Sequence, residues 1–115
     1  MKTIWYLYIE LQIMNVITKR TIVYYTEQYP SAKTGLLTWL KEFSERNFHS
    51  PNELKETYGN ASIIANHRVI FNIKGNDFRL ITSVNYRTQA AYIIWFGSHK
   101  EYDKIDAATI KHFII

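Results

Sequence analysis

The sequence predicts an α+β fold, with N-terminal helices packed on one face of a small, mainly antiparallel sheet. Three observations predict it. Apolar residues recur at helical spacing as far as Tyr58. From Ala61 onward the period becomes two, as in strands. The strand-like runs are joined by the short turns Lys74-Gly75-Asn76 and Arg87-Thr88-Gln89, so neighbouring runs form an antiparallel meander. Helices first and strands after give the layered α+β arrangement.

Taken in order, residues 1–13 read as a non-native or disordered N-terminal extension, with translation starting at Met14. An extra edge strand is the other reading. The apolar run from Ile4 to Ile9 is too short to cross a membrane. Glu10 interrupts it and no small-residue cleavage site follows, which argues against a secretory signal. Residues 14–115 then read as one domain, a size that supports one core.

Asn15 to Ile17 is a short first strand. Thr18 is a candidate N-cap for a helix carrying Ile22, Tyr25, Thr26 and Tyr29 on one face, and Pro30 stops that helix. Ser31 is the expected cap of the next helix, whose stripe is Leu36, Leu37, Trp39, Leu40 and Phe43. Gly35 inside it is expected to allow close packing against the first helix. Ser50-Pro51-Asn52-Glu53 starts a third helix, with serine as cap, proline at the first helical position and glutamate closing a capping box.

Strands are expected at Ser62–Ala65, Arg68–Ile73 and Asp77–Tyr86. A last one runs from Tyr92 to Phe96, apolar enough to be covered on both faces and ended by Gly97. Ser98 and Glu101 have capping-box spacing, so this strand end delivers His99, Lys100, Tyr102 and Asp103 to one place.

Composition narrows the function classes. The 115 residues include no cysteine, which excludes disulfides, a thiolate nucleophile and a cysteine zinc site. His49, His67, His99 and His112 lie far apart and no HExxH motif is present, so no metal or other cofactor is expected. The four glycines form no phosphate loop, and no serine sits in a nucleophile elbow. A net charge of +4 is compatible with a polyanionic partner. The composition fits a reducing cytoplasm.

Arg79 stands mid-strand, on the face opposite Phe78 and Leu80. There it either grips a phosphate bidentately or solvates an open sheet face. His99 suits proton transfer near neutral pH, or else simply closes the strand end. Lys100 and Lys104 are spaced to track a phosphate backbone, as are Lys74 and Asn76 in the hairpin turn. Glu101 and Asp103 orient a neighbour or cap the turn.

FNIKGNDFRLITSVNY (Phe71 to Tyr86), followed by AYIIWFGSHKEYDKIDA (Ala91 to Ala107), resembles the HigB family of type II toxin–antitoxin toxins, in the RelE-like ribonuclease group. MNVITKRTI from Met14, Trp39 and Phe48 to Tyr58 fit the same pattern. The resemblance implies a RelE-like fold and an mRNA-cleaving endoribonuclease, acting through the substrate 2′-OH on translating ribosomes. It also implies inhibition by a HigA-type antitoxin carrying a helix-turn-helix domain. On this reading Arg79 stabilises the phosphate, His99 transfers a proton, and Tyr102 stacks on a base or donates a proton. Lys74, Asn76, Lys100 and Lys104 hold the RNA, and Glu101 and Asp103 orient or cap. The competing readings are a non-catalytic RNA- or ribosome-binding module, and a degenerate toxin that only binds a protein partner.

Overall fold

A computed structural model describes residues 13–112. The expected extension at 1–13 therefore falls outside the described residues, apart from Ile13. Strand β1 (Asn15–Ile17) leads into helices α1 (Lys19–Gln28), α2 (Lys33–Ser44) and α3 (Pro51–Thr57). Strands β2 (Ser62–Ile64), β3 (Arg68–Ile73), β4 (Phe78–Asn85) and β5 (Ala90–Ser98) follow, and then the single turn α4 (His99–Tyr102).

The sheet order is β1-β5-β4-β3-β2. β2, β3, β4 and β5 form the antiparallel meander, and β1 pairs parallel with β5 from Asn15↔Ala90 to Ile17↔Tyr92. Parallel pairing needs a long crossover, and the three helices supply it. Met14 is buried beside β1, and its N–H donates to the carbonyl of Arg46 (2.8 Å).

The helices bury their apolar stripes on one sheet face. Ile22 and Tyr25 of α1, Leu36, Trp39 and Phe43 of α2, and Leu54 of α3 share a cluster with Val69, Phe71, Leu80, Ile93 and Phe96 of the sheet. Aromatic rings dominate its centre: Trp39 stacks on Phe43 at 4.9 Å, and Phe43 meets Phe71 edge-on at 5.5 Å. Such pairs add about 0.5–1.5 kcal/mol beyond area burial.

Several local expectations are corrected. Ser31 does not cap α2. It lies inside a 3-10 turn, Pro30–Ala32, that leads straight into the helix. Proline favours the first position of such a turn because its φ is preset and it needs no N–H partner. Thr18 precedes α1 in a left-handed conformation, and its hydroxyl donates back to the Ile17 carbonyl instead of capping. Gly35 faces β3, not α1: a Cβ there would lie 3.0 Å from Ile73 Cγ2. Ser50 caps α3 as expected, accepting from the Glu53 N–H, while the Glu53 carboxylate lies 3.5 Å from His49 Nδ1.

The second sheet face is not open. Ile70, Ile81 and Ile94 form a smaller cluster there, covered by Ile64, Trp95, Tyr102, Ile105, Ala107 and Ile110. The chain after α4 crosses this face as a strap. The Asn66 side-chain amide donates to the Ala108 carbonyl (2.8 Å), and Arg68 Nη1 donates to the Ala107 carbonyl (2.7 Å). A bulge makes the double-sided burial possible. Ile81 pairs with Trp95 but Thr82 pairs with Ile93, so β5 holds one extra residue. An extra residue breaks strand alternation, and Ile94 and Trp95 consequently both serve the second cluster. Tyr92, expected to be covered, is 40% exposed.

Candidate functional site

The site begins with the β3–β4 turn. Lys74 and Gly75 both have positive φ (54° and 62°), a tight reversal in which glycine is free of Cβ strain. The turn presents Asn76, whose side-chain oxygen accepts from Arg79 Nη2 at 2.6 Å while its carbonyl accepts from Nη1 at 3.1 Å. Nη1 also donates to the Phe78 carbonyl (3.1 Å). A guanidinium has five N–H donors, so Nε and the second Nη2 proton remain for a ligand. Those two point along one edge of the fork, the geometry that grips a phosphate bidentately.

Tyr102 arrives from the other side. Arg79 pairs with Gly97 across the β4–β5 ladder, and α4 folds back over that position. The Arg79 Cζ lies 5.9 Å from the Tyr102 ring centroid, within cation–π range. Burial raises the Tyr102 pKa, with Arg79 opposing and Asp103 reinforcing the shift. Tyr102 is thus a neutral phenol at physiological pH, a donor or stacking surface and not a base.

His99 opens α4. Its N–H donates to the carbonyl of Asp77 (2.9 Å), which ties the turn to the helix. Its Nδ1 is shielded from solvent and 3.4 Å from Asp103 Oδ1. That separation is longer than a good hydrogen bond, but it turns Nδ1 toward the carboxylate and leaves Nε2 for a substrate. An open groove of about 450 Å³ is lined by His99, Lys100, Asn76, Asp77, Phe78 and Ser31.

The structure therefore joins Arg79, Asn76 and Tyr102 in one cluster, and His99, Lys100 and Asn76 in one groove, with Asn76 common to both. Lys74 lies in the same turn. Lys104 is exposed beyond α4, and its charge acts on Glu101. Asp103 stays beside His99.

Glu101 is committed to structure. Its Oε1 accepts from the Ser98 N–H (2.9 Å), and Ser98 Oγ accepts from the Glu101 N–H (3.2 Å), a complete capping box. The Tyr29 hydroxyl also donates to both carboxylate oxygens, at 2.8 and 3.0 Å. The backbone bond from Ser98 is the main cause of a lowered Glu101 pKa, assisted by Tyr29. Burial, then Glu101 itself, pushes the Tyr29 phenol up to about 12.

The sequence reading missed Tyr29, Asp77 and Trp95. The Asp77 contact is made by its backbone, so its side chain carried no signal. Trp95 looked like core, yet it is half-buried, and Gly97 makes room for it: a Cβ at Gly97 would come within 2.5 Å of the indole. Among the described residues no cluster of histidines and acids could hold a metal ion. No described helix is long and apolar enough to cross a membrane.

Its sequence relatives place the chain among the RelE-like toxic components of toxin–antitoxin systems. The sequence model of the HigB toxin family, described in those terms, matches residues 32–105. The mRNA interferase toxin HigB of Escherichia coli K12 is 32% identical over 93 residues, covering 78% of this chain and 88% of that protein. The mRNA interferase HigB of Shigella flexneri matches to the same extent. That of Escherichia coli O6:H1 is 23% identical over 94 residues, covering 80% of this chain and 91% of that protein. The chain belongs to the HigB toxin family.

Proposed function

We propose that this protein is an endoribonuclease that cleaves mRNA, with Arg79, His99 and Tyr102 at the reacting phosphate. The observation that carries the reading is the Arg79 guanidinium, braced by Asn76 and Tyr102 with one edge left uncommitted, beside a groove that holds His99. The curated relatives named mRNA interferases support it.

The chemistry needs no metal. The substrate 2′-oxygen attacks the adjacent phosphorus, an O2′–P bond forms and the P–O5′ bond breaks. The products are a 2′,3′-cyclic phosphate and a free 5′-hydroxyl. A base must take the 2′-OH proton, and the leaving 5′-oxygen must gain one. His99 Nε2 is the proton-transfer group, with the Asp103 carboxylate 3.4 Å from Nδ1. Arg79 stabilises the charge that builds on the phosphoryl oxygens. Tyr102 offers its ring to a base and its hydroxyl as a donor. Lys74, Asn76, Lys100 and Lys104 hold the flanking backbone by charge and hydrogen bonding.

In the cell the enzyme acts in the cytoplasm on ribosome-bound message and is silenced by a HigA-type antitoxin. The test is 5′-end mapping of cellular RNA after inducing wild type and His99→Ala in parallel. New cleavage ends with wild type, absent with the variant, are expected. Translational arrest without new ends would replace this reading with a non-catalytic RNA- or ribosome-binding module.

A further inference from the structure

Beside the phosphate cluster lies a second groove that the cleavage chemistry does not use. Among the described residues, β1 pairs with β5 only as far as Tyr92, and no other strand lies along the outer edge of β5 from Ile93 onward. The C-terminal half of α1 leans over that edge and leaves a groove of about 340 Å³, lined by Tyr24, Gln28, Tyr29, Trp95 and Glu101 among others. Its walls are rings, and its polar groups are the phenol hydroxyls, an exposed amide and one carboxylate.

The electrostatics decide what fits. Glu101 has a lowered pKa and is ionised, so the groove repels a phosphate. Among the described residues, Oε2 of Glu101 accepts from Tyr29 alone, at 3.0 Å, and keeps lone-pair capacity for another donor. An aromatic wall plus a carboxylate acceptor and an amide suits a flat, neutral, amino-bearing ring. Trp95 connects the groove to the cluster: its ring centroid is 6.4 Å from that of Tyr102, which lies under Arg79. A phosphate on Arg79 thus places a neighbouring base within reach of Trp95.

We propose that this groove is a base-binding subsite, in which Trp95 stacks on a nucleobase next to the scissile phosphate while Glu101 and Gln28 receive its exocyclic amino group. The inference rests on the endoribonuclease reading, and it assigns Trp95 and Gln28 to selection of the RNA sequence.

The test uses the full chain and single-stranded RNA hexamers made non-cleavable by 2′-O-methylation. They share one sequence and carry adenine, cytosine, uracil or no base at the position beside the central phosphate. Fluorescence polarisation gives Kd for wild type, Trp95→Ala, Trp95→Phe and Gln28→Ala, with a thermal melt of each protein as folding control. Stacking on one aromatic ring is worth about 5- to 100-fold in affinity. Wild type is expected to bind the adenine and cytosine hexamers more tightly than the uracil hexamer, and the abasic one most weakly. Trp95→Ala should erase the advantage over the abasic hexamer without weakening abasic binding itself. Gln28→Ala, at an exposed position, should reduce the amino-base preference alone. Should Trp95→Ala fail to fold, Trp95→Phe still tests the stack and is expected to retain part of it.

Equal binding of abasic and base-bearing hexamers by wild type would overturn the proposal, as would a base advantage that survives in Trp95→Ala. The two readings fail separately. Base-dependent binding lost in Trp95→Ala, without new cellular RNA ends, upholds the subsite and removes the nuclease. Cleavage with no base term does the reverse.

Discussion

The hydroxyl of Tyr29, just beyond the end of α1, donates to both carboxylate oxygens of Glu101 in α4, at 2.8 and 3.0 Å. This bond anchors the single turn that carries His99 and Tyr102 to the helical layer. A four-residue helix cannot hold itself, since helix nucleation is unfavourable. Its position depends on the capping box and on this link.

Tyr29→Phe removes the donor and leaves Glu101 with its capping role. A hydrogen bond to an exposed carboxylate contributes about 1 kcal/mol, so the melting temperature should fall by a few degrees, about 4–8 °C for each kcal/mol in a domain of this size. RNA cleavage should fall further than stability alone explains, because His99 loses its fixed position. Thermal denaturation with a cleavage assay below the transition checks both.

The link sets a pH window. The folded-state pKa of Glu101 is lowered, so its contribution is present above the ordinary carboxylate value and is lost as pH falls through the lowered one. Tyr29 is raised to about 12, so its contribution is full below the ordinary tyrosine value and is lost as pH rises through about 12. Between those limits the link is intact. Glu101→Gln should weaken the acid-side loss of stability, measured by chemical denaturation from pH 3 to pH 7.

Arg79→Ala should lower cleavage by about 10²–10³-fold, the usual loss when a preorganised charge-stabilising donor is removed. Arg79→Lys should recover little. Lysine keeps the charge but lacks the planar fork that both engages Asn76 and presents a second edge. Single-turnover rates on a fixed substrate give the comparison.

Asn76→Ala leaves Arg79 its charge but removes the 2.6 Å contact at Nη2. A modest loss, about tenfold, is expected in kcat/KM, with a stability change within about 1 kcal/mol because the turn is exposed. Asn76→Ala combined with Arg79→Ala should lose less than the two single losses multiplied, since part of the role of Asn76 runs through Arg79.

Phe71→Ala would empty the centre of the helix-side core, where Trp39, Phe43 and Tyr58 all meet this ring. Such a truncation costs about 3–5 kcal/mol, a large share of the stability of a domain this size. Loss of the folded signal in far-UV circular dichroism at 37 °C is the expected result.

The fold was legible because its signals are local and periodic. The stripe of Leu36, Trp39 and Phe43, and the alternation of Val69, Phe71 and Ile73, name their own elements and their buried face. Ser98 and Glu101 announced their capping box by spacing alone. What was not legible depends on tertiary context. The cover over Ile70, Ile81 and Ile94 comes from the strap between Tyr102 and Ile110, which no local pattern assigns to that face. Gln89 read as a turn residue, yet its amide is buried and bonds both the N–H and the carbonyl of Phe48. Within the candidate site, Arg79 and Tyr102 could each be named from residue type and strand position. Their contact could not be, because it requires α4 to fold back over Gly97. Tyr29 and Glu101 stand 72 positions apart, with nothing in either neighbourhood to mark the pair.

The pairing of β1 with β5 orders events during synthesis. Asn15 leaves the ribosome early but has no strand to lie against until Ala90 follows, and Asn66 and Arg68 hold nothing until Ala107 and Ala108 appear. Every side chain assigned to the reacting phosphate and its flanking backbone lies from Lys74 onward. A polypeptide interrupted before Ser98 would own three helices and most of the sheet but no His99 and no Tyr102, with only Asn76 to brace Arg79. A toxin built this way cannot assemble its site until Tyr102 has been made, which leaves a partner the whole of that interval to be present.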